Sequence, residues 1–169
     1  GGIRLLGPNC LGVINTYSDL NTTFAAGMPG RGNIGFISQS GALCTAILDW
    51  SFENGIGFSK FVSLGNKADL DEVDLLEALG DDQETSVIIG YIEGTARGTE
   101  FIETALRITR RKPVILIKSG VSEAGARAAS SHTGSMAGSE VAFNSALQKS
   151  GVLRAKTVEE LFDYAVAFS

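Results

Sequence analysis

The chain is poor in the residues that most often carry metal, redox or membrane chemistry. Of 169 residues, one is histidine, two are cysteine, three are proline and one is tryptophan. One histidine and two cysteines cannot supply a typical zinc site, so no resident metal is expected. Cys10 and Cys44 have neither metal-site nor disulfide-framework spacing. Two unpaired thiols suit a reducing, cytoplasmic setting. No apolar stretch approaches the ~20 residues a membrane helix needs, and no membrane partner is expected. The opening Gly1-Gly2-Ile3-Arg4-Leu5-Leu6 lacks the long apolar core of a signal peptide. Basic residues are outnumbered, 14 to 19, which leaves a formal charge of −5. An acidic chain makes a poor nucleic-acid binder, because phosphate contacts need a basic surface. A small anion held by local groups is still compatible with that charge. There is no G-x-x-x-x-G-K-[ST] phosphate loop, and Ser38-Gln39-Ser40-Gly41 is not a G-x-S-x-G nucleophile elbow.

Glycine, by contrast, is abundant: 21 residues, about 12% against a usual ~7%. Hydrophobic residues make up 44% and charged residues 20%, so the chain can bury a core and fold as one domain with part of a second.

From Asn33 onward, short apolar runs alternate with longer amphipathic ones. Strands are expected at Ile34-Gly35-Phe36-Ile37, Phe61-Val62-Ser63-Leu64, Val87–Ile92, Val114–Ile117 and near Val152-Leu153. A helix follows each. The first ends near Gly55, with Leu43, Ile47, Leu48 and Trp50 on its apolar face. The second runs from about Asp71 to Leu79 with Gly80 as its stop, and the third from about Thr99 to Arg110. The fourth lies near Ser139–Lys149 and the last starts near Thr157. Apolar strands alternating with helices imply an α/β fold with a doubly wound, parallel, five-stranded sheet, flavodoxin-like in type. Ligands bind such sheets beyond the carboxyl ends of the strands. Residues 1–30 do not follow the alternation and read as the tail of a preceding domain plus a linker, with residues 31–169 as the main domain.

Four loops can carry chemistry. Ser130-Ser131-His132-Thr133-Gly134-Ser135 places the single histidine among small residues in a long polar loop, where an imidazole is accessible as a nucleophile. On spacing alone, the plainer reading of an exposed loop histidine without a role stands ahead. Ser38-Gln39-Ser40-Gly41 opens the first helix, where free amides and the helix dipole favour an anion. Ser38 or Ser40 as a simple N-cap is compatible with that role and, on pattern alone, slightly favoured over it. Glu93, just past the third strand in Tyr91-Ile92-Glu93-Gly94, can orient an imidazole through a ring N–H or can be a solvated loop acid. Leu64-Gly65-Asn66-Lys67-Ala68-Asp69 offers a close backbone approach at Gly65 and donors at Asn66 and Lys67, or is an ordinary turn.

Together these strings resemble the NDP-forming (ADP-forming) acyl-CoA synthetases, in the ligase and CoA-binding region related to the succinyl-CoA synthetase α subunit. The resemblance is carried by Leu6–Gly12, Gly32–Leu43, Ser63–Asp69, Tyr91–Gly94 and Ser122–Gly134, in that order, over nearly the whole chain. It implies that acyl-CoA and phosphate give an acyl phosphate and CoA, that a histidine takes the phosphoryl group, and that ADP or GDP accepts it. It implies His132 as that nucleophile, and Ser38, Gln39, Ser40, Gly41 and Gly134 around its phosphate. Glu93 would steady the ring, with Asn9, Cys10, Gly65 and Asn66 near CoA. In succinyl-CoA synthetase the matching carboxylate stands two residues earlier, where this chain has Tyr91; positions two apart on a strand share a face.

The resemblance further implies an incomplete enzyme in this chain, one that needs an N-terminal CoA-binding domain and an ATP-grasp domain or β subunit carrying ADP or ATP with Mg. An oligomer is expected. The acid, the choice of ADP or GDP, and the direction stay open. A non-catalytic regulatory or CoA- or subunit-binding module of the same fold is the alternative. Flavin binding is a third reading by fold analogy alone, disfavoured because Trp50 sits on a helix face that reads as core.

Overall fold

The computed structural model describes residues 2–119 and 140–169. One sheet runs through it in the order β2-β1-β4-β3-β5-β6-β7. Its strands are β1 (Val13–Asn15), β2 (Leu20–Asn21), β3 (Arg31–Ser38), β4 (Phe58–Ser63), β5 (Val87–Ile92), β6 (Val114–Lys118) and β7 (Leu153–Arg154). Helices α1 (Gly41–Asn54), α2 (Glu72–Asp81), α3 (Gly98–Thr109), α4 (Glu140–Ser150) and α5 (Val158–Phe168) complete the described elements.

β4, β3, β5, β6 and β7 are parallel, and their order is that of a flavodoxin-like sheet. The sheet has seven strands, not the expected five. β1 pairs antiparallel with β4, and β2 antiparallel with β1. These strands are three and two residues long. A strand that short shows no readable alternation, and its pairing with β4 is set by contacts more than forty residues away in sequence.

The central strands β3, β5 and β6 are buried on both faces along their apolar runs, whereas the edge strand β7 leaves Leu153 exposed. Successive residues feed opposite layers. Phe36, Ile89 and Ile115 join Phe58, Phe61 and Phe162 beneath α1 and α5, while Ile37, Ile88 and Leu116 meet Leu76, Ile108 and Leu147 of α2, α3 and α4. The aromatic residues of the first layer interlock, Phe36 on Phe61 at 4.6 Å between centroids and Phe58 edge-on to Phe61 at 5.1 Å.

Two boundaries and one burial depart from the pattern. β4 begins at Phe58, because Ser59 and Lys60 find internal partners: the Ser59 and Thr85 hydroxyls meet at 2.6 Å and the Lys60 ammonium donates to Asp82. Those polar residues broke the apolar run in the sequence. α2 passes through Gly80 and stops at Asp82. Gly80 is a packing point, since a β-carbon there would lie 2.7 Å from Ile108 of α3. Trp50 stacks obliquely on Phe162 at 4.7 Å yet keeps about a third of its surface exposed, so it is a rim residue and not a core one. Gly55 does end α1, with φ of 65°.

Candidate active site

The carboxyl ends of β3, β4 and β5 meet at the point where the chain switches from one side of β3 to the other, the place where doubly wound sheets bind ligands. There the three loops are stitched together by backbone hydrogen bonds. The Leu64 amide donates to the Ser38 carbonyl at 2.7 Å, and the Gln39 amide to the Tyr91 carbonyl at 3.1 Å.

Ser40 is the N-cap of α1; its hydroxyl accepts from the Leu43 amide. The Gly41 and Ala42 amides are the open donors of that first turn. Ser38 is fully buried, and its hydroxyl bonds the Ser40 backbone. Of the two capping candidates, Ser40 therefore caps and Ser38 shapes the turn. Behind them Cys44 lies buried, with the Ser38 and Ser63 hydroxyls against its sulfur. Burial pushes its thiol up to about 11, against the pull of those two hydroxyls.

Gln39 points away from the mouth of α1. Its side-chain oxygen accepts from the Glu93 amide at 2.7 Å and the Gly94 amide at 3.2 Å. Its side-chain nitrogen donates to the Gly94 carbonyl and to Glu72 Oε2. Glu93 is half-buried beside this turn, and its carboxylate makes no hydrogen bond or ion pair with the described residues. Burial raises the neighbouring Tyr91 phenol above its ordinary value; the Ser119 hydroxyl opposes that shift, and the Glu93 charge adds to it.

The second cluster is built from two segments far apart in sequence. The Asn66 amide donates to the Pro8 carbonyl at 2.8 Å, Ala68 to Gly7 at 2.8 Å, and Leu70 to Leu5 at 3.1 Å. The Asn9 side-chain amide reaches Asn66 Oδ1 at 3.4 Å. Gly65, with φ of 58°, touches the Pro8 and Asn9 carbonyls so closely that a β-carbon would sit 2.3 Å from the first. The Leu11 amide then donates to the Ser63 hydroxyl, which draws this segment toward α1: the nearest heavy atom to a β-carbon at Gly41 would be the Leu11 amide, 4.0 Å away. Asn9, Cys10, Gly65 and Asn66 thus share one rim, next to the open amides of α1.

Lys67, read from sequence as an anion donor, is committed elsewhere. Its ammonium donates to Glu72 Oε2 at 2.9 Å and to the Gly94 carbonyl at 2.8 Å. Glu72 itself was not foreseen. It stands at the first position of α2 and is 1% exposed, but in sequence it looks like one more acid at a solvated helix start. His132 and Gly134 lie outside the described residues.

The model of the succinyl-CoA ligase like flavodoxin domain family matches residues 31–168. An ADP-forming acetate–CoA ligase I of Archaeoglobus fulgidus is 55% identical over 165 residues, which cover 98% of this chain and 24% of that protein. The α subunit of ADP-forming acetate–CoA ligase II of Pyrococcus furiosus is 51% identical over 99% of this chain and 36% of its own length. A solved structure of the dinucleotide-forming acetyl-coenzyme A synthetase 1 of Ca. Korarchaeum cryptofilum, in complex with phosphate and ADP, superposes with a TM-score of 0.95 at 50% identity. It is matched over 99% of this chain and 37% of that one. The chain therefore spans between a quarter and somewhat over a third of the relatives it matches.

Proposed function

The chain belongs to the family of succinyl-CoA ligase like flavodoxin domains, and from that premise we propose that it is the phosphohistidine-bearing unit of an ADP-forming acid–CoA ligase. The observation that carries the proposal is the nearness of the first-turn amides of α1 to the rim of Asn9, Cys10, Gly65 and Asn66; Glu93 stands on the neighbouring loop, its amide held by Gln39. Names borne by relatives as much as 55% identical support ADP as acceptor and acetate as the first acid to test.

The chemistry runs in three balanced steps. A phosphate oxygen attacks the thioester carbon of acyl-CoA, the C–S bond breaks, and CoA leaves as its thiol after taking a proton. A ring nitrogen of His132 then attacks the phosphorus of the acyl phosphate, and the carboxylate leaves. Finally a terminal oxygen of ADP attacks the same phosphorus, the P–N bond breaks, and ATP and free imidazole result. Every step runs in reverse to make acyl-CoA.

Phosphoryl transfer asks the protein for position and charge stabilisation more than for covalent chemistry. Amides at a helix N-terminus give that stabilisation without a basic surface, which reconciles an acidic chain with a phosphate substrate. Ser40, Gly41 and Gly134 hold the phosphoryl oxygens, with Ser38 and Gln39 shaping the turn. Glu93 accepts the N–H of the second ring nitrogen, fixing the tautomer that leaves the first nitrogen nucleophilic. Asn9, Cys10, Gly65 and Asn66 line the approach of the CoA thiol end.

The remaining tasks belong to partners: an N-terminal CoA-binding domain, whose tail lies within residues 1–30 although β1 and β2 of that segment pair into this sheet, and an ATP-grasp domain or β subunit that binds ADP or ATP with Mg. The assembly is oligomeric. Among the described residues no helix is long and apolar enough to cross a membrane. The proposed site of action is cytoplasmic, the setting that the free thiols Cys10 and Cys44 suit.

The test is turnover by the full enzyme, followed as CoA released from acetyl-CoA in the presence of phosphate and ADP. Release that needs both co-substrates and is lost in His132→Ala supports the proposal. Release unaffected by His132→Ala overturns it.

A further inference from the structure

Glu93 is given its orienting task above, yet nothing on its own strand explains what holds it in place. The turn it occupies is gripped from outside. The Glu93 and Gly94 amides both donate to Gln39 Oε1, and the Gly94 carbonyl accepts from both Gln39 Nε2 and Lys67 Nζ. Two amides and one carbonyl of consecutive residues are thus fixed by two side chains, one from the loop after β3 and one from the loop after β4. Those two side chains converge on one atom: Glu72 Oε2 accepts from Gln39 at 3.1 Å and from Lys67 at 2.9 Å.

This carboxylate is expensive to keep. Glu72 is 1% exposed, and its other oxygen, Oε1, is buried without a hydrogen-bond partner among the described residues. A half-satisfied buried charge is costly, and such violations concentrate where function demands them. Nor does the first position of α2 need an acid for capping: Asp71 does the capping, accepting from the Val73 and Asp74 amides.

We infer that Glu72 is a positioning residue for histidine phosphorylation: through Gln39 and Lys67 it sets the Glu93–Gly94 turn, and so the angle at which the Glu93 carboxylate meets the imidazole. The inference rests on the phosphohistidine reading. It names two residues, Glu72 and Lys67, whose side chains act through Gln39 and the Gly94 turn. An ion pair serves the role better than a neutral pair because it holds both donors against one oxygen, and a misplacement near 1 Å at a reacting group costs roughly 100-fold in rate.

The test is single-turnover phosphorylation of His132 by acetyl phosphate, measured by rapid quench in the full enzyme. Variants are Glu72→Gln, Lys67→Met, Glu93→Gln and the doubles with Glu93→Gln. Glu72→Gln is expected to slow phosphorylation roughly 10- to 100-fold with the half-saturating acetyl phosphate concentration unchanged. Lys67→Met, at a residue that keeps some exposure, gives a slowing in the same direction should Glu72→Gln fail to fold. In the Glu93→Gln background neither change slows the step further, because the group they position is gone. A merely structural role would slow both backgrounds alike, and that result overturns the inference, as does a parental rate in both single variants. Failure of the parent enzyme itself to label on His132 overturns instead the phosphohistidine reading.

Discussion

Gly65 and Gly55 have nearly the same backbone conformation, φ of 58° and 65°, and different surroundings. A β-carbon at Gly55 meets nothing within 4 Å, whereas one at Gly65 would lie 2.3 Å from the Pro8 carbonyl oxygen and 2.6 Å from that of Asn9. Replacing each by alanine separates conformational strain from the contact between the two segments of the rim. Left-handed backbone costs an L-residue about 1 kcal/mol, and the stiffening of the unfolded chain is the same for both. Gly55→Ala is therefore expected to lose about 1 kcal/mol. Gly65→Ala must also push residues 5–9 away, which breaks the hydrogen bonds from Asn66 to Pro8 and from Ala68 to Gly7. At about 0.5–1.5 kcal/mol each, these bring its loss to about 2–4 kcal/mol. Urea denaturation of both variants beside the parent reads the difference directly, and thermal melting should show Gly65→Ala lower by several degrees, at roughly 2–4 °C per kcal/mol in a chain of this size. Equal destabilisation would refute the packing of residues 5–9 on the Gly65 turn, and with it the shared rim.

Two further substitutions test the interior. Burial holds the Cys44 thiol at about 11 against an ordinary 9.0, so the native state keeps a proton that the unfolded state gives up. Stability should fall as pH rises through that interval, by up to ~1.4 kcal/mol per pH unit. Cys44→Ala should show a shallower fall, and identical slopes in equilibrium denaturation from pH 8.5 to 11 would contradict the assignment. Gly80→Ala would gain about 0.5–1 kcal/mol in an open helix, but here the new methyl meets Ile108 at 2.7 Å. Overpacking of about 1–3 kcal/mol turns the sign, so a net loss is expected, and a double-mutant cycle with Ile108→Ala, which removes both clashing carbons, should show the two changes coupled. A plain gain from Gly80→Ala would show that α2 and α3 do not pack this closely.

Parallel strands, helix caps and the switch-point loops were readable because each depends on local residues. β5 falls where its β-branched run Val87–Ile92 placed it, and the last helix starts at the expected place, with Thr157 as its N-cap. The edge strands β1 and β2 were not readable, because two or three residues carry no period and their partner is distant. β4 was trimmed because Ser59 and Lys60 look like loop residues until Thr85 and Asp82 are seen beside them. The same reason hid the Glu72–Lys67 pair: five residues apart across a loop, both charged, they look like a solvated surface. Only the turn at Gly94, brought from another strand, buries them. At the site, the sequence offers Ser38 and Ser40 equally as helix caps and the fold selects Ser40, while Asn9 and Asn66 meet from segments 57 residues apart. The inward turn of the Gln39 side chain has no signature in its own segment.

The claim on which the functional account rests is a covalent one, at His132. The measurement is mass spectrometry of peptides from the parent and from His132→Ala after exposure to acetyl phosphate, prepared under alkaline conditions that preserve phosphohistidine. The account predicts one acid-labile phosphoryl group on the parental peptide that contains residue 132 and none in the variant; equal labelling of the two proteins would contradict it.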